Sequence, residues 1–353
     1  MESVNTTLVS LDEIREAQRR IAGVAVRTGM YRVSAEKLKA AGVGELPFEL
    51  WIKAESEQPI GSFKLRGAYN RIAQLSAEEL KRGVITYSSG NHAQGVAFAA
   101  RALGAKAVIV MPENAPAVKI EATRALGAEV VFVGPASSAR KAKAEELAAA
   151  HGYTIIPPYD DPAIIAGQGT CGLEIVEQLG EQADGVVVLS PVSGGGLLSG
   201  VATAVKLACA GLRAEGASEG GVGVQVWGAE PELAADAKES FETKTLVEWP
   251  AAKTTRTISD GLRTQSLGVL SFEHILRYVD GIVTVTEDEI VRAMRVMLAA
   301  TGLTAEPSGA VTMAAALFHH AELPRCERMV AVLSGGNIEP EMQHKVEAGL
   351  ASA

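Results

Sequence analysis

Gly61-Ser62-Phe63-Lys64-Leu65-Arg66-Gly67-Ala68 is a small-residue turn that delivers one lysine into the start of a helix. Glycine on both sides lets the backbone turn tightly and lets a bulky group approach, while Phe63 offers a flat apolar wall beside the amine. The stretch by itself fits two readings, a lysine that bonds a cofactor and an exposed lysine on a helix that follows a turn. Just before it, Pro47 to Glu55 alternates as a strand, with Phe48, Leu50 and Ile52 on one face.

Outward from this turn, helices and strands alternate. Ser10-Leu11-Asp12-Glu13 is a capping box, and the helix behind it is expected to run to about Ala25. Short apolar runs read as strands at Val84–Tyr87, Ala107–Met111, Val130–Val133, Tyr153–Ile156, Val186–Leu189, Val224–Gly228, Ile282–Val285 and Met329–Leu333. Between them lie stretches such as Ala139–Ala150 whose composition favours helix. Strand, turn and helix in repetition point to an α/β fold of parallel-rich sheets covered by helices on both faces. Such sheets bind ligands beyond the carboxyl ends of their strands, and the informative motifs sit there. Leu212 to Gly223, rich in Gly, Ala, Ser and Glu, reads as an exposed loop.

A chain of 353 residues suggests two lobes or one large α/β unit. Its net charge of −9, without a Lys/Arg run, argues against nucleic acid or an anionic membrane as partner and leaves a small molecule. Cys171, Cys209 and Cys326 lack C-x-x-C spacing, so neither a disulfide framework nor a thiolate metal site is suggested. No leader pattern and no bilayer-length apolar run stand out, so a cytoplasmic location is expected.

After the strand ending at Tyr87 come Ser88-Ser89-Gly90-Asn91-His92, hydroxyls and an amide at a helix start that suit a carboxylate. After Val186–Leu189 comes Ser193-Gly194-Gly195-Gly196-Leu197. Bare glycine amides at a helix start make a nest for a phosphate, although a flexible loop has the same composition. A dinucleotide fingerprint is excluded by Ser199 at its third glycine, and a nucleotide P-loop by the lack of Gly-Lys-Ser/Thr. The last strand ends in Ser334-Gly335-Gly336-Asn337.

Together these stretches resemble the fold-type II pyridoxal-phosphate enzymes (tryptophan synthase β-like), in the branch of threonine dehydratase and serine racemase. The resemblance covers nearly the whole chain. It implies a large cofactor domain from 1–82 and 161–353, and a small domain, 83–160, closing over the substrate. It implies that Lys64 carries the cofactor as a Schiff base beside Phe63 and acts as the catalytic base. Asn91 would bond the ring hydroxyl, Ser193, Gly194, Gly195, Gly196 and Leu197 would hold the phosphate, and Ser334 would face the pyridine nitrogen. Ser88, Ser89, Asn91 and His92 would receive the substrate carboxylate. A hydroxyl is too weak an acid to protonate the pyridine firmly, which favours prompt loss of a β-leaving group. The implied reaction is dehydration of a threonine- or serine-type amino acid to a 2-keto acid and ammonia.

Ser89 matches the second acid/base of the family's racemases, which leaves amino-acid racemisation open, with β-replacement behind it. Glu230, the Ala234 carbonyl and Asp236 match the family's divalent site, for Mg²⁺ or alternatively Ca²⁺ or Mn²⁺; without the resemblance they read as a solvated acidic turn. Arg140, or Arg263 beside Thr264, would favour 3-hydroxyaspartate if it faces inward, and would be an ordinary solvated charge otherwise. Glu306-Pro307-Ser308 also resembles a segment near the cofactor. Arg27-Thr28-Gly29-Met30 departs from the usual Arg-Thr-Pro-Leu without touching this chemistry. A homodimer is the family expectation. Only 338–353 follow the last motif, so an amino-acid-sensing domain and feedback by isoleucine are not expected.

Overall fold

Ten strands fall into two separate sheets in this computed structural model, which describes residues 7–115, 117–134, 137–183, 185–214 and 223–351. In chain order the strands are β1 (Met30–Arg32), β2 (Glu49–Ala54), β3 (Val84–Tyr87), β4 (Ala107–Pro112), β5 (Glu129–Val133), β6 (Thr154–Ile155), β7 (Val186–Pro191), β8 (Gln225–Pro231), β9 (Gly281–Val285) and β10 (Arg328–Leu333). The larger sheet has the order β1-β2-β10-β7-β8-β9, and the smaller β5-β4-β3-β6. Both are parallel apart from β1, which lies antiparallel on β2.

Continuous apolar runs explain the parallel pairing, because strands covered on both faces need no polar alternation. β4 and β7 are buried at every position. In β10 the two-residue period divides the chain cleanly. Met329, Ala331 and Leu333 join the core under the helix Pro307–Phe318, whereas Val330 and Val332 join that of the helices Pro162–Leu179 and Gly196–Ala214. The helix Lys64–Ile72 buries Ala68 and Ile72 in a third core with Val84, Val96, Ile109 and Met111 of the smaller sheet and its helix.

Three expectations change. The first helix, capped by Ser10 and Glu13, ends at Ile21 instead of about Ala25, and Gly23 follows it with φ +79°. β1 was not foreseen; it is a three-residue edge strand with two exposed positions, too short to show a period. Leu212 to Ala214 close the helix Gly196–Ala214 and are not loop, while 215–222 lie outside the described residues. Among the described residues, no helix is long and apolar enough to cross a membrane.

Candidate active site

β2, β3, β7, β8 and β10 each end in a loop carrying one of the sequence motifs. The Lys64 turn is stitched to the loop after β10 by backbone. Ser62 bridges Gly335, Phe63 N–H donates to the Ser334 carbonyl (3.1 Å), and Gly336 N–H donates to that of Gly61 (2.9 Å). Gly61 has φ +72°, and a Cβ there would collide with the Asn337 side chain. Asn337 Nδ2 donates to the Ile60 carbonyl (2.8 Å) and to Asn91 Oδ1 (2.7 Å). The β10 loop thereby fixes both the lysine turn and the start of the helix Asn91–Ala102.

Lys64 Nζ donates to the Pro158 carbonyl at 2.7 Å and stands 5.1 Å from the centre of the Phe63 ring. Among the described residues no carboxylate offsets its burial, which pushes the amine down to about 8. The lysine is therefore deprotonated far more readily than an exposed one, as a nucleophile or base must be.

Asn91 Nδ2 donates to Glu306 Oε1 (2.7 Å). Burial and then Asp260 push the Glu306 carboxyl up to about 8, with Asn91 pulling the other way. Ser88, Ser89 and Asn91 are part-exposed at their helix start, where Ser88 Oγ accepts from Gly90 N–H (3.3 Å). His92 is buried, and its Nε2 contacts the Ile156 carbonyl at 3.0 Å. Burial, with Lys64 nearby, pushes the ring down to about 3, so it is the neutral tautomer donating from Nε2.

On the β7 loop, Ser193 holds a left-handed backbone (φ 54°), and its hydroxyl donates to the Gly261 carbonyl at 3.0 Å and lies 3.3 Å from Thr264 Oγ1. A Cβ on Gly194 or Gly196 would strike Tyr159, while Gly195 has φ +94° against Ser271 and Leu267. Leu197 is buried in the core behind. The orphan amides of a long helix thus open beside a strip too narrow for side chains. Ser334 is buried between this loop's sheet and the Lys64 turn.

Glu230 and Asp236 are 1% and 2% exposed. Glu230 Oε1 accepts from Lys238 N–H (2.7 Å), and Asp236 Oδ2 is buried without a partner among the described residues. Burial followed by Asp236 pushes Glu230 well up, and burial pushes Asp236 up to about 7. Ala234, 1% exposed, lies between them in the chain. The structure does not gather three His, Cys, Asp or Glu side chains as a metal cluster among the described residues.

The two arginines differ. Arg263 donates twice to the Thr257 carbonyl (2.9 and 2.6 Å) and serves its own loop. Arg140 is half-buried on the helix Ser137–His151, and burial pulls its guanidinium down.

Sequence reading missed the segment 158–161, whose consecutive residues hold different elements. The Pro158 carbonyl takes Lys64, Tyr159 covers the glycines, and Asp160 accepts from Val269 N–H and Ser271 N–H (both 3.0 Å). Asp161 caps the helix Pro162–Leu179. Its one visible signal is Asp-Asp-Pro, an N-terminal cap.

A profile described as pyridoxal-phosphate dependent enzyme matches residues 34–335. The chain is 39% identical to an L-threo-3-hydroxyaspartate ammonia-lyase of Saccharomyces cerevisiae, over 82% of this chain and 83% of that protein. It is 36% identical to a serine racemase of Schizosaccharomyces pombe, over 96% and 97%. A solved threonine deaminase, from T.th., superposes with a TM-score of 0.82 at 42% identity, over 94% of this chain and 99% of that one.

Proposed function

We propose, because this chain belongs to the pyridoxal-phosphate-dependent enzyme family, that it is a hydroxy-amino-acid dehydratase, an ammonia-lyase forming a 2-keto acid and ammonia. The observation that carries this reading is the desolvated Lys64 amine, held between Phe63 and the Pro158 carbonyl beside a glycine strip. A small domain spanning 83–160, a homodimer and a cytoplasmic setting belong to the same proposal.

The residues present fit the cofactor, since the strip at Gly194 to Gly196 has room for bare amides only. Those glycines, with Ser193 and Leu197, would hold its phosphate, Asn91 its ring hydroxyl, Ser334 its pyridine nitrogen and Lys64 its aldehyde carbon. When bound, pyridoxal phosphate supplies an electron sink for charge developing at Cα. The helix start at Ser88, Ser89 and Asn91, with the His92 amide, orients the substrate carboxylate. Lys64, an amine easily deprotonated, takes the Cα proton, and that proton and the hydroxyl lost from Cβ leave together as water. The enamine released hydrolyses to keto acid and ammonia.

A divalent cation is the finer part of the proposal. The unpartnered Asp236 oxygen and the two buried carboxylates fit a hard cation completed by the Ala234 carbonyl. Millimolar Mg²⁺ is expected to raise the thermal midpoint of the wild type by a few degrees, about what ligand excess supplies. Asp236→Asn should abolish that rise in a differential scanning measurement, and an equal rise in the variant would remove the site.

A keto-acid assay on the purified yellow protein tests the function, with L-threonine, L- and D-serine and both 3-hydroxyaspartate diastereomers. The dehydratase reading expects 2-oxobutyrate, pyruvate or oxaloacetate; D-serine formed from L-serine without keto acid would replace it with racemisation, using Ser89. The similarity to an L-threo-3-hydroxyaspartate ammonia-lyase favours a second reading, recognition of a second carboxylate, for which Arg140 is the candidate partner. Oxaloacetate as the main product, lost selectively in Arg140→Met, supports that reading.

A further inference from the structure

We infer that Arg66 is the positioning residue for Lys64, acting through a buried ion cluster behind the helix Lys64–Ile72. The inference rests on Lys64 being the reacting amine. Arg66 Nε and Nη2 donate to Glu55 Oε2 (2.7 Å) and Oε1 (2.8 Å), and Nη1 and Nη2 donate to Glu174 Oε1 (2.7 Å) and Oε2 (2.8 Å). A further Nη1 bond reaches Thr170 Oγ1 at 3.0 Å. The five N–H bonds of the guanidinium are thus accounted for within the protein. Lys53 Nζ completes a charge-balanced set by donating to Glu174 Oε2 (2.6 Å), the Thr28 carbonyl (2.9 Å) and Gln178 Oε1 (3.0 Å). Against burial, Arg66 and Lys53 hold the Glu55 carboxyl below its usual range, so the cluster stays ionised.

The geometry makes this a constraint on direction. Two residues along a helix is about 200° around its axis, so Arg66 grips the side nearly opposite Lys64. Its carboxylates come from different elements, Glu55 from the turn after β2 and Glu174 from the helix Pro162–Leu179. Two planar forks fixed to two walls set the rotation of the helix as well as its place. Spacing is set next door: a Cβ on Gly167 would come within 2.6 Å of Gly67 Cα, and one on Gly95 would meet the Lys64 carbonyl at 3.1 Å. These contacts fix the rotation and the place of the helix, and with them the direction of the amine toward the Pro158 carbonyl.

Arg66→Lys keeps the charge and removes the forks. In cofactor-free protein, competitive acetylation of amines from pH 6 to 10, read by mass spectrometry on the Lys64 peptide, reports how the lysine is held. Lys64 should titrate near 8 in the wild type, and more than about one unit higher in Arg66→Lys as the freed amine meets water. In loaded enzyme kcat should fall about 10²-fold with KM nearly unchanged, the size of effect expected for a misplaced group. A folded Arg66→Lys with wild-type Lys64 labelling and kcat overturns the proposal. If that variant does not fold, Glu55→Gln should give the same changes in lesser degree, and failure of both to fold assigns the cluster to stability and overturns it too. Wild-type Lys64 that labels like surface lysines and traps no cofactor on borohydride reduction refutes the lysine assignment itself, whatever the variants do.

Discussion

Lys64→Ala is expected to be a folded, colourless protein whose keto-acid production is reduced by at least about 10² to 10⁴, the usual contribution of a positioned acid/base group. Loss of the anchoring amine adds to this, so the cofactor should dialyse away from the variant and remain with the wild type. Stability should move in the opposite direction. The amine is held down to about 8 when folded and lies near its ordinary value when unfolded. Between those values the unfolded chain binds more protons, so wild-type stability rises with pH across that window, and below it the buried ammonium is a burden. Lys64→Ala removes both, and at pH 7 its thermal midpoint should equal or exceed that of the wild type. A variant that keeps its visible absorption would place the cofactor on another amine.

Gly195→Val should weaken cofactor retention by a different route. Its φ of +94° is open to glycine, and a Cβ would sit 2.8 Å from the Ser271 Cβ and 3.0 Å from Leu267. Strain of about 1–3 kcal/mol joins overpacking of about 1–3 kcal/mol, and the loop can escape only by withdrawing from the phosphate position. Cofactor affinity, followed by titrating absorbance, is expected to fall about 10²-fold or more. Gly134→Ala, where an added Cβ meets no described atom beyond its chain neighbours within 4 Å, is the matching control and should bind normally. Undiminished binding by Gly195→Val would move the phosphate elsewhere.

What was legible in the chain depended on how locally each feature is encoded. Strands such as β4 and β7 announce themselves because burial on both faces demands unbroken apolar residues. The glycines after β7 and around Lys64 are visible because tight backbone is written in residue type. Arg66, Lys53 and Glu174 gave no such signal. A charge in a helix or strand normally reads as solvated, and only the fold reveals that these close on one another. Pro158 was equally hidden, since it works through a carbonyl that every residue owns. His92 read as part of a carboxylate-binding run, and the contact of its Nε2 with the Ile156 carbonyl is again one that residue type does not announce.

The place of β10 bears on how the protein is made. This strand is the tenth in the chain but lies between β2 and β7, and its loop supplies the backbone partners of the Lys64 turn. A nascent chain emerging from the ribosome carries the reactive lysine early and must wait for residues 328–337 before the sheet closes beside it. The smaller sheet, built from strands contiguous in the chain, can form sooner. Cofactor capture is therefore deferred until residues 328–337 have been made, and chains abandoned before them have no finished pocket in which to hold it.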